Sequence, residues 1–175
     1  KMDGRNIVLI GFMGSGKTTI GRKLAAKLDY RFVDMDIEIE NKAGMKITEI
    51  FSKYGEPEFR KMESKICEEL SKAKNCVIAT GGGVIKNDKN MELLKENGVV
   101  LYIKATPEHV YRNIKNDTTR PLLQCDDKLA KIKELMEERK PLYESKNDIT
   151  FDVSGLNAKE AVERIMSVVE GDSIL

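Results

Sequence analysis

Eight residues near the start constrain this chain more than any others. Gly11-Phe-Met-Gly14-Ser15-Gly16-Lys17-Thr18 satisfies G-x-x-x-x-G-K-[ST] at each specified position. The apolar run at 7–10 predicts a buried strand before it, and the amphipathic stretch Lys17–Leu28 predicts a helix after it. Glycines in such a strand-to-helix turn let backbone amides point inward, and the helix N-terminus adds its dipole, so the segment can enclose phosphate oxygens. On this P-loop reading Lys17 reaches the β- and γ-phosphates and the Thr18 hydroxyl ligates Mg²⁺, with Gly14, Ser15, Gly16 and Thr19 completing the cradle. The expected ligand is a nucleoside triphosphate, and the expected acceptor of its terminal phosphoryl group is a small metabolite.

The remaining pattern fits one α/β domain over 1–175. Short β-branched runs at 30–33, 76–79, 99–103 and 149–153 alternate with helical stretches at 35–44, 47–72, 88–96, 107–115, 127–140 and 158–170. Alternation of this kind predicts a parallel sheet of about five strands covered by helices on both faces. Thr106-Pro107-Glu108 reads as a helix start. The polar stretch at 116–127, with Arg120 near its centre, reads as a mobile lid.

Composition narrows the function. Thirty Lys+Arg balance 29 Asp+Glu, which argues against a general nucleic-acid or membrane-surface binder. No apolar run approaches the ~20 residues that cross a bilayer, and the first residues lack the apolar stretch of a signal peptide. Three scattered cysteines without a CxxC pair fit reduced thiols in a cytoplasmic protein. A GTPase is disfavoured because Ser145-Lys-Asn-Asp148, the nearest approach to a guanine-reading [NT]KxD, begins with serine and precedes a strand.

Most candidate acceptor residues admit two readings. Asp34 and Asp36, two apart at a strand end, can both face the cradle, or can cap and charge the next helix. Arg60 and Glu63 are helical neighbours, either a surface pair or a guanidinium fork held for a carboxylate. Gly81-Gly82-Gly83 after a strand is either a flexible turn or a place where backbone approaches a ligand. Arg139 before Pro141 reads as compensation of a helix C-terminus. His109 has no evident partner and reads as incidental.

Taken in order, GFMGSGKTT (11–19), FVDMD (32–36), FRKME (59–63), ATGGG (79–83), TRPLL (119–123) and ERKPLY (138–143) resemble the shikimate kinase family. The resemblance covers nearly the whole chain. It implies a nucleoside-monophosphate-kinase-like P-loop fold and ATP-dependent phosphorylation of the shikimate 3-hydroxyl, a step toward chorismate and the aromatic amino acids. It implies that Asp36 holds the shikimate hydroxyls and orients or deprotonates the attacking one, and that Asp34 meets Mg²⁺ through water. Arg60 and Arg139 would clamp the shikimate carboxylate, Glu63 would buttress Arg60, and the backbone of Gly81, Gly82 and Gly83 would line the site. The substrate-binding helical region would span about 34–64. Arg120 would act on the phosphates from the lid, and Arg112 would lie near the adenine. The expected partners are shikimate and ATP, bound to a monomer. A gluconate kinase would share the cradle without needing both arginines beside Asp36. A nucleotide-binding module without catalysis would show damage at Lys17, Asp36 or Arg120, and all three are intact.

Overall fold

The computed structural model describes residues 4–115 and 126–171. Five strands form one parallel sheet: β1 (Asn6–Ile10), β2 (Arg31–Asp34), β3 (Cys76–Ala79), β4 (Gly98–Lys104) and β5 (Ile149–Asp152), in the order β2-β3-β1-β4-β5. The helices are α1 (Lys17–Leu28), α2 (Met35–Ala43), α3 (Ile47–Tyr54), α4 (Glu56–Leu70), α5 (Asp88–Lys95), α6 (Pro107–Ile114), α7 (Lys128–Lys146) and α8 (Ala158–Gly171), with a 3₁₀ turn at Val84–Lys86. The expected three-layer α/β/α architecture is therefore present. All of β1 and β3 is buried, and β4 is buried from Gly98 to Ile103, because parallel strands are covered on both faces and read as near-continuous apolar runs.

Strand order positions the site. The chain starts at the centre with β1, crosses by α1 to the edge at β2, and then works back through β3 to β4 and β5 on the other side. Right-handed crossovers in opposite directions place their helices on opposite faces. Accordingly α1 packs with α8, while α4 packs with α5. The direction reverses between β1 and β3, so the segments leaving their carboxyl ends run to opposite faces and open a crevice, the preferred ligand position in open α/β sheets. The cradle follows β1 and the glycine turn follows β3. Thr80 ties the two ends together, its amide donating to the Leu9 carbonyl at 3.1 Å and its hydroxyl to the same oxygen at 2.8 Å.

Two helix boundaries differ from expectation. The stretch at 47–72 is two helices, α3 and α4, broken at Gly55 with φ 83° and ψ 167°. That conformation is essentially glycine-only, and Pro57 in the first turn of α4 lacks an N–H to continue the α3 ladder. In contrast, α7 runs through Pro141 to Lys146 instead of ending near 140, so Arg139 lies inside a helix and does not cap one. Pro141 is exposed, so the carbonyl it leaves without a helical donor can be hydrated, and buried Tyr143 anchors the last turn. The Thr106 hydroxyl caps α6 as expected, accepting from the His109 amide at 3.1 Å. Of the expected lid, only Asp126 and Asp127 are described; residues 116–125, Arg120 among them, lie outside the described residues.

Candidate active site

The cradle opens into a cleft of about 530 Å³ at the carboxyl end of the sheet. Gly14 and Gly16 have φ of 78° and 101°, left-handed backbone that a side chain would strain. A Cβ on Gly14 would also stand 2.7 Å from Ile114 Cγ2. Among the described residues no side chain caps α1, and no acid occupies its first turn, so its positive dipole end favours an anion. Ser15 is 1% exposed, and its buried Oγ has no hydrogen-bond partner among the described residues. An orphaned hydroxyl in a ring of inward amides fits a phosphate oxygen that completes its bonding. The Lys17 ammonium, almost buried, donates to the Gly11 and Phe12 carbonyls at 2.6 and 3.1 Å. Thr19 is exposed in the cleft wall.

Asp34 meets both readings given for it, because its two oxygens divide the work. One Oδ accepts from the Asp36 and Ile37 amides at 2.9 and 3.2 Å and so caps α2. The other accepts from the Thr18 hydroxyl at 3.1 Å. Thr18 and Asp34 thus share one corner of the cleft. Among the described residues no group of three or more His, Cys, Asp or Glu could hold a metal ion. One hydroxyl beside one carboxylate suits Mg²⁺, which keeps most of its coordination for phosphates and water.

The glycine turn gathers the candidate acceptor residues. A Cβ on Gly81 would lie 2.7 Å from Asp36 Oδ1 and 3.4 Å from Glu63 Oε2. One on Gly82 would lie 3.2 Å from Arg139 Nη1, and one on Gly83 would lie 2.7 Å from Arg60 Nη2. Each glycine therefore leaves room for a different charged side chain, and residues far apart in sequence converge on one turn.

The two arginines are held differently. Arg60 donates to Glu63 at 3.0 Å and to Glu56 at 3.1 and 3.3 Å. Burial alone would lower its pKa, but the Glu63 and Glu56 carboxylates more than offset this and raise it. Glu63 is 1% exposed. Burial raises its pKa, and nearby Asp36 and Glu56 add to the rise, while Arg60 only partly opposes it. Both partners shift upward because Glu63 carries the larger share of the desolvation. Arg139 is 6% exposed, makes no ion pair among the described residues, and leaves Nη1 buried without a hydrogen bond. Nearby, the Tyr143 hydroxyl donates to the Gly82 carbonyl at 3.4 Å, and its ring stacks on Tyr102 at 5.2 Å. Burial pushes the Tyr143 pKa up, against the pull of the Arg139 charge and of a hydrogen bond from the Arg139 side chain.

Beyond the cradle, the cleft continues between α6 and the β5–α8 connection, lined by His109, Asn113, Val153, Leu156 and Asn157. The Asn113 amide donates to the Gly14 carbonyl at 2.7 Å, fastening this wall to the cradle. His109, read as incidental from sequence, is part of the wall. Burial and the Arg112 charge lower its pKa, with Asp152 opposing them, which favours the neutral ring. Arg112 itself is exposed and does not line the cleft, though its charge reaches His109. Sequence reasoning missed His109 and Asn113, since one helical turn of spacing after a Thr-Pro start is the only local signal of a shared face.

Comparison with known proteins agrees with this geometry. The family model for shikimate kinase matches residues 13–170. The chain is 46% identical over 166 residues to a shikimate kinase of Thermodesulfovibrio yellowstonii, covering 95% of each chain. It is 48% identical over 162 residues to one of Caldanaerobacter subterraneus, covering 93% of this chain and 94% of the relative. Among solved structures, the shikimate kinase of Acinetobacter baumannii in complex with shikimate superposes with a TM-score of 0.92 at 37% identity, covering 99% of this chain and 97% of that one. A gluconokinase of Sinorhizobium meliloti, at TM-score 0.60 and 16% identity over 99% of each chain, shares the fold alone. The P-loop, the glycine turn with its four charged neighbours and 46% identity over nearly the full length place this chain in the shikimate kinase family.

Proposed function

We propose that the chain carries out its family's reaction, ATP-dependent phosphorylation of the 3-hydroxyl of shikimate to shikimate 3-phosphate and ADP on the route to aromatic amino acids, with the acceptor lying across the glycine turn. The observation that carries this reading is the approach of Asp36, Arg139 and Arg60 to the absent Cβ positions of Gly81, Gly82 and Gly83. A small molecule with hydroxyls at one end and a carboxylate at the other matches that order of charges. Arg60 and Arg139 bind the carboxylate by charge-assisted hydrogen bonds. Asp36 accepts a hydrogen bond from the attacking hydroxyl and aims its lone pair at the γ-phosphoryl.

On the nucleotide side the amides of Gly14, Gly16 and Lys17, with the Ser15 hydroxyl, receive the phosphates. Lys17 exchanges its two carbonyl partners for phosphate oxygens and neutralises charge that develops during transfer. Thr18 would hold Mg²⁺ directly and Asp34 through water; when bound, the ion supplies charge neutralisation and orientation of the phosphates. The base lies in the half of the cleft walled by His109 and Asn113, with Arg112 at its edge. Arg120 belongs to the proposal by its place in the TRPLL motif, as the cation that closes on the phosphates. Transfer then requires positioning and electrostatics with little covalent chemistry from the protein. A cytoplasmic setting is supported by the free, buried thiols of Cys67 and Cys76, the former pushed up to about 12 by burial and by Glu63.

The test is ADP release by the purified protein with ATP and Mg²⁺, offered shikimate, gluconate or nucleoside monophosphates in turn. Turnover with shikimate alone is expected. Turnover with gluconate but not shikimate would overturn the acceptor assignment, and nucleotide binding without turnover would overturn catalysis.

A further inference from the structure

Arg139 presents a physical problem. A guanidinium that is 6% exposed should have a carboxylate partner, yet among the described residues it has none. A helical surface arginine can bend to water, but this one lies inside α7 against the cradle. Its guanidinium carbon stands 5.6 Å from the centroid of the Phe12 ring, within the distance at which an aromatic face attracts a cation. Phe12 is 3% exposed and is the first variable residue of the P-loop. Its backbone lies on the cradle side, accepting from the Lys17 ammonium, while its ring meets the Arg139 guanidinium.

We infer that Phe12 is a positioning residue for the acceptor: its ring face holds the Arg139 guanidinium beside Gly82 without neutralising it. A carboxylate in that place would hold the cation equally well but would consume the charge that the incoming acid needs. An aliphatic side chain would leave the charge intact but without an attractive surface. The aromatic face does both, because its quadrupole attracts the cation weakly and takes none of its N–H donors. The inference rests on Arg139 as the carboxylate clamp, as set out above.

The experiment replaces Phe12 by phenylalanine analogues carrying one, three and five ring fluorines, which keep the ring's shape while draining its negative face. Phe12→Leu, Arg139→Ala and the double variant are measured beside them, and each is assayed for the KM of shikimate, the KM of ATP and kcat. The shikimate KM is expected to climb with fluorine number, reaching roughly three- to tenfold for the most fluorinated ring and for Phe12→Leu, the size of one cation–aromatic contact. ATP KM and kcat are expected to stay within about twofold, and Phe12→Leu is expected to add nothing once Arg139 is alanine. A shikimate KM indifferent to fluorination, while Arg139→Ala raises it, overturns the role of Phe12 alone. An Arg139→Ala variant with an unchanged shikimate KM overturns the clamp itself, and the inference with it. A KM for ATP that rises in step with that for shikimate marks Phe12 as a mere support of the cradle and also overturns it.

Discussion

Gly83→Ala isolates the proposed acceptor clamp with little disturbance to the fold. Gly83 has φ −97° and ψ −3°, which any residue adopts, so alanine brings no backbone strain. What it brings is a methyl group that overlaps Arg60 Nη1 and stands 2.7 Å from Nη2 and 2.8 Å from Cζ. The guanidinium must retreat by about 1 Å to reach ordinary contact. It sits at the end of a flexible chain and can do so, but the retreat pulls it off the 3.0 Å bond to Glu63 that sets its direction. A charge-assisted hydrogen bond is worth about 1.5–3 kcal/mol, and partial misalignment should forfeit about 1–2 kcal/mol of acceptor binding, or about five- to thirtyfold in affinity. Titration calorimetry with shikimate reads this directly, and urea unfolding should show a stability change within about 1 kcal/mol of the parent. A variant that binds shikimate normally would refute the reasoning, because it would mean that the space beside Gly83 is not where Arg60 works.

The neighbouring positions and three other features give contrasting expectations. Gly82→Ala, whose methyl would stand 3.2 Å from Arg139 Nη1, needs only a small adjustment and should change shikimate affinity by less than about threefold. Gly81→Ala, 2.7 Å from Asp36 Oδ1, should lower kcat more than it raises KM. Asp36→Asn should lower kcat about a hundredfold or more with a modest change in shikimate KM, the signature of a lost proton acceptor; an unchanged kcat would reduce Asp36 to a member of the α2 first turn. Gly55→Ala should cost about 1–3 kcal/mol in chemical denaturation from its φ of 83° and ψ of 167° alone, since nothing stands nearer its Cβ position than Pro57 Cδ at 3.7 Å. Glu63, whose pKa burial raises above the ordinary 4.5, takes up its proton in the folded chain before the unfolded one does. Its contribution to stability is therefore greatest in acid and declines as pH rises from about 4.5 through the raised value. Glu63→Gln should lose that dependence, so its Tm relative to the parent should improve from pH 4 to pH 6, and a relative Tm that falls over that range would contradict the assignment.

The nucleotide half of the site was legible because it is local. Residues 11–19 carry the cradle in one unbroken motif, and the flanking strand and helix confirm its context. The acceptor half was legible only as separate ambiguities: Arg60 and Glu63 as a helical pair, Asp34 as a cap, Gly81–Gly83 as a turn. Each bland reading turned out compatible with the sharper one. Asp34 does cap α2 while its second oxygen meets Thr18, and Arg60 does pair with Glu63 while standing over Gly83. What local pattern could not supply was distance across the sheet, which decides that Arg139 and Phe12 meet. It also hid the α3–α4 break, where Gly55 followed two residues later by proline was a usable signal masked by continuous apolar spacing. In α7 the proline signal misled, because an exposed Pro141 in a helix held by Tyr143 loses only one bond.

The charges of the site are nearly balanced, with Lys17, Arg60 and Arg139 facing Asp34, Asp36 and Glu63, so its selectivity does not come from a general attraction for anions. On the proposed function it comes from order along the glycine turn. Carboxylates meet the Gly81 end, where the proposed acceptor's hydroxyl would be held and aimed. The cations meet Gly82 and Gly83, where its carboxylate would end. Arg60 is already half satisfied by Glu63 and Glu56, whereas Arg139 is buried with an unfilled donor. A polyol lacking a carboxylate at that end therefore pays twice: it gains no ion pair, and it seals an unpaired guanidinium away from water. Sites built around a donor that only the right ligand can fill reject its isosteres more strongly than pockets shaped by volume. On that argument the discrimination against neutral acceptors resides in Arg139 more than in Arg60, although both face the same turn.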